Sequence, residues 1–279
     1  MPVYLVTGLL ARRIEASDAA HWASRMTFLA ARPGNPYGAE VRRFGHLVAL
    51  ACPGMKGRSV VNRIIGAGDG DEANLANAVA WLRSLGVPVR IDVTPLHGHE
   101  NFLRTLAHEG FCVQGFQAAL YGKPDLLSSH TPPPVEVRHA ETEAELAFCT
   151  KALAKVFAES DPAWALWLQG SMVETFGRPD WQTYVASVDG ELAGFGQLYI
   201  ENGVGCLALC GTMPKFRGLG VQTALIRRRV GDAAAAGCEL ITAQAGDGSV
   251  SGQNIERAGL RVAYTKAEFY EWSPGKSPA

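Results

Sequence analysis

Apolar positions along the second half of the chain switch between a period of two and a period of three to four, and each switch marks an element. Residues 181–188 and 192–200 alternate around Asp189-Gly190, a two-residue hairpin signal, and read as paired strands. Residues 206–212 read as a further strand after Asn202-Gly203, and 238–245 as a buried one. Between them, 221–236 is a helix stopped by Gly237. Earlier, 141–159 is an amphipathic helix with Leu146, Leu153, Val156 and Phe157 on one face. Asp161-Pro162 opens a second helix over 164–176, with proline suited to its first turn. A short strand at 135–138 precedes these helices. A short helix at 249–258, ended by Gly259, and a last strand at 260–272 close the pattern.

The first half repeats the later part of this order. Ser17 or Asp18 caps a helix to about Ala31, residues 40–51 and 59–65 read as strands, and 72–85 is a helix stopped by Gly86. A strand at 87–93, a helix at 100–109 ending at Gly110 and a strand at 111–121 follow. Strand, glycine turn, helix, strand, short helix, glycine, strand thus occurs twice, which points to a duplicated fold with one diverged copy. Between the copies lies Ser128-Ser129-His130-Thr131-Pro132-Pro133-Pro134, whose three prolines favour an extended spacer. The expected domains are 1–127 and 135–273, with 128–134 as linker and 274–279 as a frayed tail.

Composition adds exclusions. The 279 residues, 47% apolar and 19% charged, fit a soluble globular protein with ample core. A net charge of -1 gives no global field for nucleic acid or an anionic membrane, and only Arg227-Arg228-Arg229 stands out as a local basic patch. The apolar start at 3–11 has no basic residue before it and Arg12-Arg13 after it, the wrong order for a secretory signal. No run reaches the roughly 18 to 20 apolar residues of a membrane span. Cysteines 52, 112, 149, 206, 210 and 238 lack C-x2-C spacing and read as reduced, mostly buried thiols of a cytoplasmic protein. Cys206 and Cys210 would share one strand face, with no histidine nearby in sequence to activate either. His97 and His99 flank a glycine without a further ligand cluster, so no metal is expected.

The chemistry concentrates in Pro214-Lys215-Phe216-Arg217-Gly218-Leu219-Gly220-Val221-Gln222-Thr223-Ala224-Leu225, which follows a strand and opens a helix. Glycine removes Cβ bulk and lets N–H groups converge on an anion. The helix start adds unpaired donors and partial positive charge, and Arg217 adds a full one. This is a pyrophosphate cradle. It is not a dinucleotide fingerprint, because Thr223 stands three residues after Gly220, and no G-K-[ST] of a nucleotide loop is present. The equivalent turn of the first half, Gly66-Ala67-Gly68-Asp69-Gly70-Asp71-Glu72, has three carboxylates and no arginine and would repel a phosphate.

On these residues the second half resembles the GNAT superfamily of acyl-CoA-dependent N-acetyltransferases. Arg217 and Gly220 match its motif Q/R-x-x-G-x-G/A, with Gln222 in place of the last small residue. A subgroup with paired domains is similar over R-G-x-G-V-Q-T-A-L. A second similarity lies in Ser251-Gly252-Gln253-Asn254-Ile255-Glu256-Arg257-Ala258-Gly259-Leu260, set against S-x-R-N-x-E-R-x-G-F, and continues into Ala263-Tyr264-Thr265-Lys266. The resemblance covers 135–272; over 1–127 it is one of topology. It implies an α/β chain of tandem GNAT-like folds, each a mixed, mostly antiparallel sheet flanked by helices, with a splayed parallel strand pair.

The resemblance further implies acetyl transfer from acetyl-CoA to a primary amine of a small-molecule acceptor, without metal. Transfer to a protein or peptide amine, and silent acyl-CoA binding, are the alternatives. Cys210, Gly211, Thr212 and Met213 would meet the pantetheine arm through their backbone, with Gly211 easing a bulge. Arg217, Gly218, Leu219, Gly220, Val221, Gln222 and Thr223 would hold the pyrophosphate, and Asn254 would contact the cofactor. The tyrosine many GNATs use as the thiol's acid corresponds to Ile255, which donates no proton, leaving Ser251 and Tyr264 as the catalytic candidates. No carboxylate lies between Cys206 and Pro214 to act as base, and Glu159, Asp161, Glu174, Asp180 and Glu201 read as solvated surface groups. Trp164, Trp167 and Trp181 are candidate walls of the acceptor pocket. The first copy is expected not to bind CoA.

Overall fold

The computed structural model describes residues 5–124, 135–158 and 161–272. The expected linker, the tail and Glu159 lie outside the described residues. The chain divides into two compact units, Met1–Ala119 with Ala263–Ala279, and Leu120–Val262.

In the first unit, helix α1 (Gly8–Ala30) starts at Thr7, whose hydroxyl accepts the Leu10 N–H at 3.2 Å. The sequence placed this cap at Ser17 or Asp18, but both are buried inside the helix. The expected strand at 40–51 is a hairpin, β1 (Glu40–Phe44) and β2 (Leu47–Ala51), because Gly45 turns at φ 62°. β3 (Arg63–Ala67), α2 (Glu72–Ser84), β4 (Arg90–Val93), α3 (Glu100–His108) and β5 (Phe111–Gly122) follow. β1, β2 and β3 are antiparallel neighbours, and β3 runs parallel to β4. The far side of β4 is occupied by the last strand of the chain, β11 (Arg261–Glu271), paired antiparallel from Ala267↔Val93 to Tyr270↔Arg90. Thus the strand that closes the second half in sequence completes the first unit's sheet.

α2 and α3 contribute Leu75, Ala78, Leu82, Phe102 and Leu106 to an apolar core with Ile64, Ile91 and Phe269. α1, in contrast, buries Glu15, Asp18, His21 and Arg25. These polar positions recur at helical spacing and meet charges from the strands. Lys266 Nζ lies 2.9 Å from Asp18 and 3.5 Å from Glu15. Arg63 bonds Asp92 and approaches Asp18 at 3.5 Å, and Arg90 bonds Asp92 at 2.6 Å and lies 2.8 Å from Glu268. Buried charges persist only when paired in this way. Burial opposes ionisation of Asp18 and Asp92, yet the cations outweigh it and hold both pKa values below the carboxylate norm. At Glu15 burial wins over Lys266, and its pKa is raised.

The second unit holds β6 (Glu136–His139), α4 (Glu143–Phe157), α5 (Pro162–Thr175), β7 (Trp181–Val188), β8 (Glu191–Glu201), β9 (Val204–Thr212), α6 (Val221–Ala235), β10 (Leu240–Gly246) and α7 (Val250–Arg257). β6 to β9 are antiparallel neighbours in chain order, and β10 runs parallel to β9. Thr142 and Glu145 form a reciprocal box at α4, and Asp161 caps α5 by accepting the Trp164 N–H at 3.0 Å. Among the described residues no helix is long and apolar enough to cross a membrane.

Candidate functional site

The site of the second unit is a gap in a sheet beside a helix start. β9 and β10 pair over Val204↔Leu240, Gly205↔Ile241 and Cys206↔Thr242 only, although β9 continues to Thr212 and β10 to Gly246. The two strands therefore part after Cys206 and Thr242, leaving an unpaired edge on each. On its other side β9 follows β8 with one irregularity. Leu207 faces Leu198 and Cys210 faces Gly196, so Ala208 and Leu209 bulge opposite Gln197. The bulge thus lies just upstream of Gly211, where the sequence had centred it. Gly211 has a different constraint, since a Cβ there would stand 2.6 Å from the Phe195 ring.

The bulge reverses the faces of β9. A Cβ at Gly205 would meet Ala233 of α6, whereas one at Gly211 would meet Val156 of α4. Cys206 and Cys210 therefore point to opposite faces rather than sharing one. Burial raises the Cys210 pKa despite the Arg229 charge, so this thiol is not an activated nucleophile. Met213 gives its N–H to the Ala193 carbonyl at 2.9 Å. By the alternation of an antiparallel ladder, Gly211 also faces β8, while Cys210 and Thr212 present their backbone groups to the open edge.

Arg229 supports the bulge from below. Its guanidinium is buried and donates to the carbonyls of Leu225 and Gln197 at 3.0 Å each, and of Ala208 at 3.5 Å. Gly196 leaves the room, because a Cβ there would stand 3.1 Å from Arg229 Nε. Arg228 is spent on Asp232 and the Val137 carbonyl. The expected basic patch at 227–229 thus does not present three free cations.

At the mouth of the gap a 3₁₀ turn, Pro214–Phe216, leads into Arg217-Gly218-Leu219-Gly220. Gly218 and Gly220 take φ values of 81° and 80°, in the left-handed region that favours glycine. Gly220 is the N-cap of α6 and carries no side-chain cap, and Ala224 is the first residue there whose N–H reaches a helical acceptor, the Gly220 carbonyl at 3.0 Å. The N–H groups of Val221, Gln222 and Thr223 ahead of it have no helical acceptor, whereas Leu219, expected at the pyrophosphate, gives its N–H to the Phe216 carbonyl at 3.4 Å. Space above Gly218 is open to at least 4 Å. Arg217 gives its backbone N–H to the Pro214 carbonyl at 3.3 Å, while its side chain is exposed and makes no hydrogen bond or ion pair among the described residues. This donor set fits a pyrophosphate.

Gln222 joins the turn to α7. It donates through Nε2 to Ser251 Oγ at 3.1 Å and accepts at Oε1 from Asn254 at 2.7 Å. Three residues singled out in sequence thereby meet. The cap of α7 is Ser249, not Ser251. Ile255 is buried. Tyr264 belongs to the first unit, where its hydroxyl donates to Glu15 at 2.8 Å and burial pushes its pKa up. Trp164 and Trp167 stack at 4.9 Å, and both are buried, as is Trp181.

The corresponding turn of the first unit is closed. After a register shift beyond Ile64, β3 and β4 pair again at Ala67↔Val93, where both strands end. The Gly68 N–H donates to the Asp71 carboxylate at 3.1 Å, and Asp69 receives the N–H of His99 at 3.3 Å. His46 lies 3.2 Å from Asp71, and His97 bonds the Gly8 carbonyl at 3.1 Å. Among the described residues no group of three or more His, Cys, Asp or Glu is placed to hold a metal.

A mixed, largely antiparallel sheet whose parallel pair parts beside a glycine-rich helix start defines the GNAT class of fold. Residues 149–251, which lie within the second unit, match the family model described as the acetyltransferase (GNAT) family. Solved structures extend the likeness to most of the chain. A GCN5-related N-acetyltransferase from Kribbella flavida is 16% identical, with 94% of this chain and 96% of that chain covered and a TM-score of 0.63. A tandem GNAT protein from the clavulanic acid biosynthesis pathway is 14% identical over 94% and 96% of the two chains, with a TM-score of 0.58. A GCN5-related N-acetyltransferase from Sphaerobacter thermophilus is 15% identical over 80% and 79%, with a TM-score of 0.56. These likenesses are of fold. No curated protein matches the sequence.

Proposed function

We propose that the second unit moves an acetyl group from acetyl-CoA to a primary amine of a small molecule by direct attack, and that the first unit binds no CoA. The observation that carries this reading is the parting of β9 from β10 beside the uncapped start of α6. The Arg217 side chain and the N–H groups of Gly218, Gly220, Val221, Gln222 and Thr223 hold the pyrophosphate. Cys210 and Thr212 offer peptide groups to the amides of the pantetheine arm. When bound, acetyl-CoA supplies an acyl carbonyl activated as a thioester. The attacking amine must be neutral, so its proton leaves through water, in keeping with the lack of a carboxylate on β9. The N–H of Cys210 on the open edge of β9 meets the carbonyl oxygen where charge grows. Ser251, which accepts from Gln222, keeps its own hydrogen for the departing thiolate.

The buried Ile255 favours one second reading, a domain that binds acyl-CoA without turnover. Calorimetry separates the cases. Acetyl-CoA should bind the wild-type chain once, and Arg217→Glu should weaken it at least about tenfold, since a full charge is reversed at the anion. Absence of heat with wild-type protein refutes the cradle, and two sites per chain refute the silent first unit. Thiol release over a panel of primary amines then distinguishes transferase from binding domain.

A further inference from the structure

The gap between β9 and β10 has two walls, and the β10 wall carries an amide with no partner. Thr242 stands opposite Cys206, so Gln244, two residues on, stands across the gap from the bulge at Ala208 and Leu209. Its face follows from its neighbours. A Cβ at Gly205 would lie 3.1 Å from Ile241 and 2.9 Å from Ala233 of α6, and a Cβ at Gly252 of α7 would lie 3.5 Å from Ala245. Ile241, Ala243 and Ala245 therefore face α6 and α7, and Gln244 faces the opposite side, that of α4 and α5. Gln244 Nε2 and Oε1 are both buried, and neither has a hydrogen-bond partner among the described residues. Gln197 on β8 offers a contrast. It is fully buried, and its Nε2 donates to Thr175 and Thr183 at 3.1 and 3.3 Å. The amide nitrogen of Gln197 is thus satisfied inside the sheet, whereas both polar atoms of Gln244 go unsatisfied where the strands part.

We infer that Gln244 binds the acyl end of the thioester, its Nε2–H donating to the acyl carbonyl oxygen and its Oε1 accepting an N–H of the incoming amine. The inference rests on the acetyl-CoA reading above. An amide on the β10 wall and the Cys210 N–H on the β9 wall then flank the same oxygen. Free CoA has a thiol in place of that carbonyl, so Gln244 must discriminate acetyl-CoA from CoA.

Calorimetric titration of acetyl-CoA and of CoA into wild-type, Gln244→Met and Gln244→Glu chains tests this, with thermal melts of the unliganded proteins alongside. Methionine keeps the length without the amide, and glutamate keeps the shape and Oε1 without the donor. The wild-type chain should prefer acetyl-CoA. Both variants should lose that preference by roughly three- to tenfold while CoA affinity stays within about twofold, the size of one hydrogen bond. Gln244→Met should melt no lower than wild type, because it relieves two unpaired buried atoms. An unchanged preference, or an equal loss for both ligands, overturns the inference and leaves the cradle standing. A Gln244→Met chain that melts several degrees lower overturns it as well, since the amide then has a structural partner. Wild-type protein that binds neither ligand refutes the acetyl-CoA reading itself.

Discussion

His21 makes the acid stability of the first unit predictable. It lies on the buried side of α1, 3.7 Å from Asp18, with its ring 5.2 Å from that of Trp22. Burial penalises the imidazolium most, Asp18 offsets part of this, and the charges of Arg25 and Arg63 add to the penalty. The pKa falls from 6.5 to about 4. The folded state therefore holds a neutral ring where the unfolded chain holds a charged one. Between pH 6.5 and 4 the unfolded state binds more protons, so acidification favours unfolding. Two and a half units at about 1.4 kcal/mol each give about 3 kcal/mol, of which roughly 2 kcal/mol is lost by pH 5.

Replacing His21 by phenylalanine removes this titration. Urea unfolding followed by circular dichroism at pH 7, 6, 5 and 4 should show the variant gaining on wild type by about 3 kcal/mol across the series, whatever its deficit at pH 7. The difference between the two curves isolates His21 from the remaining histidines. Parallel curves would falsify the reasoning, because the ring would then be charging in the fold as freely as in the unfolded chain.

Lys266→Met should cost about 3–5 kcal/mol in urea unfolding, since it removes the cation 2.9 Å from the buried Asp18 carboxylate. A loss below about 1 kcal/mol would mean that the acids of that layer are already compensated by Arg63 and Arg90. Gly220→Ala places a Cβ at φ 80°, a strain of about 1–2 kcal/mol. Acetyl-CoA affinity should fall about tenfold as the turn rotates its donors away. Unaltered affinity would show that the anion is held elsewhere.

The cradle, the hairpin at Asp189-Gly190 and the helix stops were legible because each depends on neighbours in sequence. Gln222, Ser251 and Asn254 were each found by pattern, though their bonds to one another were not. What stayed hidden depends on distant pairings. Asp18 resembles a helix cap when only the next few residues are considered. It is buried because Lys266, 248 positions later, returns to meet it. A usable signal was present, since Glu15, Asp18 and Arg25 recur at helical spacing on the side that also carries Ala11, Ile14 and Leu29. Arg229 was read as part of a solvent-facing triplet, and only the bulge in β9 explains its burial. Gln244 has no local mark at all, because its meaning comes from where β9 leaves β10.

The two glycine turns show how little separates an anion site from a filled one. Both connect a strand to a helix, and both use positive φ, at Gly66 and Gly70 in one and at Gly218 and Gly220 in the other. In the first unit the Asp71 carboxylate already accepts the Gly68 N–H, with His46 beside it. A phosphate arriving there competes with an acceptor tethered to the same loop, whose effective concentration exceeds that of a free ligand. It also meets the charges of Asp69 and Glu72, which repel it. In the second unit Gly220 leads α6 with no side-chain acceptor, and the nearest full charge in sequence is the cation of Arg217. Substituting Asp71 alone would therefore not convert the first turn, because β3 and β4 pair again at their ends and leave no gap for the rest of a thioester.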